Sequence, residues 1–206
     1  PDRNVHLLTR QLSERPGDFQ MSVRIGRVEG GIISRGKGSV GFRIGVTGPL
    51  RDYRNSLVFG RGLDAGLTAD GGFFIGNVDD AEAGGIDLNV DSIELRLKVE
   101  LGASTHSVTL SAHDVEGKTK LGEIMRRTIR ADRLIGNLAL VCNFVSPQQR
   151  GGGAARRRGN ANEANNGRFW FSDWQVTGSK LEVHNDRAFG PILFSQYTLS
   201  GGVMKL

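Results

Sequence analysis

A single cysteine, Cys142, stands among the 206 residues. No disulfide can therefore close within the chain, and a disulfide-stapled scaffold is excluded. A reducing compartment suits that composition, as does a bacterial exported protein that does without disulfides. No apolar run reaches 18 residues, so no segment is long enough to cross a bilayer as a helix. The opening "PDRNVHLLTRQ" lacks the apolar core of a signal peptide and begins without Met, while "LSGGVMKL" ends on what reads as the start of another strand. We expect a piece of a longer protein. What the chain has in excess is glycine, 30 residues of it, about twice the usual share. Glycine scattered in this way suits tight turns between short strands.

The net charge of +5 raises the question of nucleic acid, and its distribution argues against it. Residues 150–168, "RGGGAARRRGNANEANNGR", hold five arginines against one glutamate and so account for most of the excess. Elsewhere both signs are interspersed. No strand carries a basic face interleaved with exposed aromatics, as a nucleic-acid groove requires. No nucleic-acid partner is expected.

Period-two alternation dominates the remainder. In "FQMSVRIGRV", Phe19, Met21, Val23 and Ile25 alternate with Gln20, Ser22, Arg24 and Gly26. "SVGFRIGV" sets Val40, Phe42, Ile44 and Val46 against Ser39, Gly41, Arg43 and Gly45. "SIELRLKVEL" and "HSVTLSAHD" repeat the pattern, each a half-buried antiparallel strand with one wet face. "LALVCNFV" (138–145) is apolar on both faces and predicts a strand covered on both sides. A helical turn is expected around residues 123–133. "EGG", "RGKG", "TADGG" and "VEGK" mark turns. With ten or more strands and no βαβ rhythm, the fold class is all-β, two antiparallel sheets packed as a sandwich. Residues 1–17 are expected to form an N-terminal arm, loose or briefly helical. Residues 18–206 then form a single sandwich domain, with a flexible basic loop at 147–168 whose composition is that of disorder.

Chemistry is sparse. His6, His106, His113 and His184 occur in no zinc-binding spacing. Cys142 falls in the most apolar strand and reads as core. Glycosidases need two facing carboxylates, and no acid-rich strand supplies them. Glu94 and Glu100 share a strand face with Arg96 and Lys98, the pattern of a solvated sheet surface. The acids of "NVDDAEAGGIDLNVD", namely Asp79, Asp80, Glu82, Asp87 and Asp91, offer oxygen ligands without the spacing of an EF-hand loop, and an Asx-turn loop explains them. One stretch stands out, "GRFWFSDWQVTGSKLEV" (167–183). As an unbroken strand it puts Phe169, Phe171, Asp173 and Gln175 on one face and Trp170, Ser172, Trp174 and Val176 on the other. Trp170 and Trp174 are the candidate sugar-binding rings. Asp173, a carboxylate in mid-strand, is the candidate ligand for calcium at a sheet edge. No catalytic residue is assigned.

The succession "FQMSVRIGRV", "GSVGFRIGV", "IELRLKVEL", "HSVTLSAHD", "IGNLALVCNF" and "GRFWFSDWQVTGSKLE" resembles the concanavalin-like, laminin-G-like jelly-roll domains. More narrowly, "SVGFRIGVTGPLRDYRNSLVFGRGLDAGLTADGGFFIG" and "GPILFSQYTLSGGVMKL" resemble the domain that precedes the phosphatase module in secreted bacterial PhoD-like alkaline phosphatases. That resemblance implies a jelly roll and a non-catalytic accessory role in an exported (periplasmic or extracellular) hydrolase, docking on glycan or on its own catalytic domain. The phosphatase's metal ligands match no residue of this chain. A second resemblance, to the 3-keto-disaccharide hydrolases, implies the alternative of a carbohydrate-active jelly-roll enzyme.

Overall fold

The alternating stretches become strands because each has one face that must leave water. In the computed structural model, which describes residues 3–28, 38–46, 62–89, 92–102, 105–144, 168–187, 198–200 and 203–205, the strands are β1 (Arg3–Leu12), β2 (Phe19–Arg27), β3 (Ser39–Val46), β4 (Leu63–Thr68), β5 (Phe73–Ile75), β6 (Ile93–Glu100), β7 (Thr105–Asp114), β8 (Lys120–Arg130), β9 (Gly136–Cys142), β10 (Phe169–Gly178) and β11 (Leu181–Val183). Six form one sheet in the order β11–β1–β9–β3–β4–β5, and five form the other in the order β10–β2–β6–β7–β8. All pairings are antiparallel. Two short strands, β12 (Thr198–Ser200) and β13 (Val203–Lys205), pair with each other. The two large sheets stack as a jelly-roll β-sandwich, the class the alternation predicts.

The inner faces meet in one continuous core. Phe19, Met21, Val23 and Ile25 of β2, Leu95, Leu97 and Val99 of β6, and Val108, Leu110 and Ala112 of β7 are buried against Val40, Phe42 and Ile44 of β3 and Leu138 and Leu140 of β9. Non-directional burial of this kind is the main favourable term in folding. The expectation for β9 holds, since Ala139 and Val141 on its other face are buried too. β3 departs from expectation on its second face. Ser39 and Arg43 are buried there rather than wet. Arg43 meets Asp64, its register partner on β4, through two bonds of 2.6 and 2.8 Å. A bidentate carboxylate partner is what allows a guanidinium to stay out of water. Gly45 has φ of +68°, and an added Cβ would lie 1.7 Å from the Arg133 carbonyl oxygen, so only glycine fits that crossing.

Two expectations are corrected. The expected arm at 1–17 is not loose over Arg3–Leu12, a sheet strand inserted between β9 and β11. Its backbone groups find partners on both sides, with a register break between Leu7 and Gln11. The helical turn expected at 123–133 is strand as far as Arg130, and only Ala131–Leu134 turns as a 3₁₀ helix, burying Leu134. Two register shifts between β7 and β8 disturb the alternation of β8, so its sequence lacks a clean period of two. The loop expected at 147–168 lies outside the described residues except for Arg168.

Where β10 turns into β11, Lys180 is almost fully buried. Its Nζ donates to the Arg15 carbonyl at 2.9 Å, tying that turn to the link between β1 and β2. Burial holds this ammonium below its ordinary value, with Glu182 opposing in part.

These packings differ sharply in what they contribute. Leu97 is fully buried and Leu121 is 44% exposed. Leu97→Ala should cost about 2–5 kcal/mol, whereas Leu121→Ala should stay within about 0.5 kcal/mol of the parent. Urea unfolding followed by fluorescence compares them directly, and equal losses would mean that the inner face is misplaced.

Candidate functional site on the five-stranded sheet

Every inward position on β2, β6 and β7 forces its neighbours outward, and the register decides which outward residues stand side by side. Three rows result on the outer face of the five-stranded sheet. Arg24, Glu94 and His113 form one; Gln175, Ser22, Arg96, Ser111 and Glu123 form the next; Thr177, Gln20, Lys98, Thr109 and Met125 form the third. Neighbouring strands lie ~4.8 Å apart, so side chains in one row touch or nearly touch. All of these but Arg24 and Met125, with Lys120, line a groove of about 580 Å3. Its walls offer hydroxyls, amides and paired charges.

Each cation in this lattice is held by a carboxylate. Arg96 donates Nε and Nη2 to the two Glu94 oxygens at 3.0 Å each, and Nη2 also reaches the Gly117 carbonyl at 3.1 Å. The Glu94 hydrogen bond is the main reason the Arg96 guanidinium holds its proton more firmly than usual. Lys98 lies 2.7 Å from Glu100 and Lys120 2.9 Å from Glu123. Arg24 meets Asp173 at 3.1 Å. His113 sits among them with Nε2 at 3.0 Å from the Ser111 hydroxyl, and Nδ1 is buried without a hydrogen-bond partner among the described residues. Burial, reinforced by the nearby Arg96, pushes this imidazole below its ordinary value and so favours its neutral form.

The aromatic strand supplies one end of this face, in a way an unbroken alternation does not foresee. Ser172 pairs with Arg24 and Gln175 with Ser22, which leaves Asp173 and Trp174 opposite Val23 alone. This is a β-bulge, and Asp173 takes the left-handed conformation at its first position, φ 51°. The extra residue reverses the phase of the strand. Phe169, Phe171, Trp174 and Val176 all pack against the core. Trp170 remains outside, 39% exposed. Its indole lies across Gly26, where an added Cβ would come within 2.2 Å of a ring carbon. The pairing of Trp170 and Trp174 on one face is therefore corrected. Trp170 is presented to solvent as a flat ring, and Trp174 is a core residue.

Asp173 accepts from Arg24 at 3.1 Å and from the Ser172 hydroxyl at 3.3 Å. Among the described residues no group of three or more His, Cys, Asp or Glu could hold a metal ion. The acid-rich loop is likewise engaged. Asp87 accepts from the Asn89 backbone at 2.9 Å, Glu82 pairs with Arg126 at 2.8 Å, and Asn77 caps the 3₁₀ turn that holds Asp79 and Asp80. Asp91 lies outside the described residues. Sequence reasoning passed over the groove residues themselves, because Gln20, Ser22, Thr109 and Ser111 read as ordinary wet-face positions. The only signal was that β2, β6 and β7 alternate strictly enough to pair.

No family model matches the chain, and no curated protein matches it. Among solved structures, it is similar to the PL-14 alginate lyase from Aplysia kurodai, with 13% identity and a TM-score of 0.48 over 81% of this chain and 71% of that one. It is also similar to the endo-1,3-beta-glucanase from Streptomyces sioyaensis, with 14% identity and a TM-score of 0.44 over 79% of this chain and 64% of that one. Both likenesses concern the fold.

Two outcomes follow from this geometry. The bulge asks for a left-handed backbone and only an exposed ion pair, which contributes at most about 1 kcal/mol. Asp173→Gly should therefore leave stability nearly intact, while Asp173→Val should lose about 1–3 kcal/mol. The melting temperature should be equal in EDTA and in millimolar calcium, and a calcium-dependent rise abolished by Asp173→Gly would restore the metal reading. The second outcome concerns pH. His106 and His113 both titrate below the ordinary imidazole value in the folded chain, each mainly through burial. Between the folded and unfolded values the unfolded chain binds more protons, so stability rises with pH there. It should be fully present above the ordinary value of about 6.5 and decline as pH falls through the folded values. Melting curves across that window check the slope, His113→Gln should flatten it, and a stability that rises on acidification would contradict the assignment.

Proposed function

We propose that this chain is a carbohydrate-recognising jelly roll that takes a glycan along the outer face of its five-stranded sheet. One observation carries the reading. A groove lined by Gln20, Ser22, Thr109, Ser111, Gln175 and Thr177 lies on the same sheet face as a flat, half-exposed indole at Trp170. Sugars present hydroxyls at their edges and apolar C–H faces, so a recognition surface for them needs fixed donors and acceptors beside an aromatic plane. The solved neighbours, an alginate lyase and a glucanase by their titles, are compatible with a glycan ligand and are not what carries the reading.

Two roles fit such a face. As an accessory module, the chain delivers an exported hydrolase to its polymer. The ground for this role is the sequence resemblance to the domain preceding PhoD-like phosphatases. As a carbohydrate-active enzyme, it would use the carboxylates that the fold brings to one groove from separate strands, Glu94 and Glu123, with His113 beside Glu94 in the register. Both carboxylates are occupied by cations, which favours recognition over chemistry. We take the accessory role as the function and exported, bacterial placement as part of it.

Affinity electrophoresis through gels containing soluble polysaccharides tests the reading. At least one polymer should retard the chain, and Trp170→Ala should weaken that retardation by several-fold to about tenfold, the loss of a stacking contact of ~1 kcal/mol. Trp174→Phe should leave it unchanged. Unchanged binding by Trp170→Ala would overturn the reading. Release of reducing ends or unsaturated products, lost in Glu123→Gln, would move the function to the enzyme.

A further inference from the structure

The charge arrangement of the groove goes further than its shape. A site built for a polyanion leaves cations free to meet carboxylate or sulfate groups, because an anion must be compensated as it leaves water. Here the reverse holds. Arg96 is held in a fork by Glu94, and Lys98 and Lys120 each stand within 2.9 Å of a glutamate that lies two or three residues further on. Arg24, between Trp170 and the groove, is matched by Asp173. His113, the remaining titratable side chain of the groove lining, is pushed toward its neutral form by burial and by Arg96. The face is balanced charge by charge. An anionic ligand entering it would have to displace a carboxylate from each cation it used and lie beside that carboxylate afterwards, and like-charge juxtaposition of that kind is what excludes wrong partners. An uncharged hydroxyl meets no such conflict. It donates to a glutamate oxygen and accepts from the ammonium or guanidinium of the same pair.

We infer that the groove selects a neutral polysaccharide and rejects acidic or sulfated ones. The inference rests on the glycan reading above and adds the ligand's charge class. It also gives the ion pairs a role in specificity, since exposed pairs contribute little to stability.

The experiment uses the intact chain and a set of neutral polysaccharides (dextran, galactomannan and xyloglucan), each run beside its sulfated form. The Arg-rich stretch at 150–168 can retain sulfated polymers by itself, so occupancy of the groove is read by competition against a bound neutral polymer. The expected result is that at least one neutral polymer binds with an affinity nearly independent of salt. Its sulfated form should compete at least about tenfold less well, a difference of ~1.4 kcal/mol. The double variant Glu100→Gln, Glu123→Gln, which frees Lys98 and Lys120, should gain salt-sensitive competition by the sulfated form. Effective competition by the sulfated polymer against the parent chain, or no gain in the double variant, would overturn neutral selectivity and leave the glycan groove standing. If no neutral polymer binds but a sulfated one does, and Trp170→Ala loses it, the selectivity again fails alone. If no polymer of either kind depends on Trp170, both readings fall.

Discussion

Removal of two apolar sheet faces from water is the constraint from which the other features descend. Val23, Leu95, Leu97, Val108 and Leu110 are fully buried on one sheet, and Phe42, Leu67 and Leu138 on the other. Because the side-chain period of a strand is two, burying these positions leaves no freedom for the intervening ones. Gln20, Ser22 and Arg24 must face away from the core, and so must Glu94, Arg96 and Lys98, and Thr109, Ser111 and His113. The groove is thus made by the core, and apart from Met21 and Leu97 its lining is the outward set. A slip of one residue in any of these strands would expose the apolar set and dismantle the groove together.

The lattice on the outer face shows how weak interactions acquire a role by position. Taken one at a time, pairs such as Lys98–Glu100 or Lys120–Glu123 are exposed and contribute little to folding. Set side by side across β2, β6, β7 and β8, they make a surface that is strongly polar, with each cation of the groove beside a carboxylate. Hydrogen-bonding capacity is retained while the field that attracts or repels an ion is cancelled. The chain's excess of positive charge belongs to another stretch, residues 150–168, and the overall charge therefore says nothing about the ligand of this face.

The bulge in β10 reconciles two demands on one strand. Phe169 and Phe171 suit a buried face, and so do Trp174 and Val176, yet an even number of steps does not connect the two pairs. One added residue, Asp173 at φ 51°, brings both pairs inward and leaves Trp170, Ser172, Gln175 and Thr177 outward. An aspartate tolerates the left-handed backbone better than most residues, and its side chain, turned outward, meets Arg24. Gly26 on the neighbouring strand completes the arrangement, because the Trp170 ring occupies the space a side chain would need.

The alternation of "FQMSVRIG", "SIELRLKVEL" and "HSVTLSAHD" determined the fold class, the core set and the wet faces, because burial with period two is a local property of each strand. It could not determine β1, whose strand state comes from inserting between β9 and β11, or the end of β8, where register shifts against β7 blur the pattern. It misassigned Trp174 because unbroken alternation was assumed for β10, where pairing with β2 inserts one extra residue. Which outward residues become neighbours is a matter of register between strands far apart in the chain, so Glu94 beside His113 and Ser111 beside Glu123 were decided by the tertiary structure alone. Alternation fixes the face of a residue, and only pairing fixes its company.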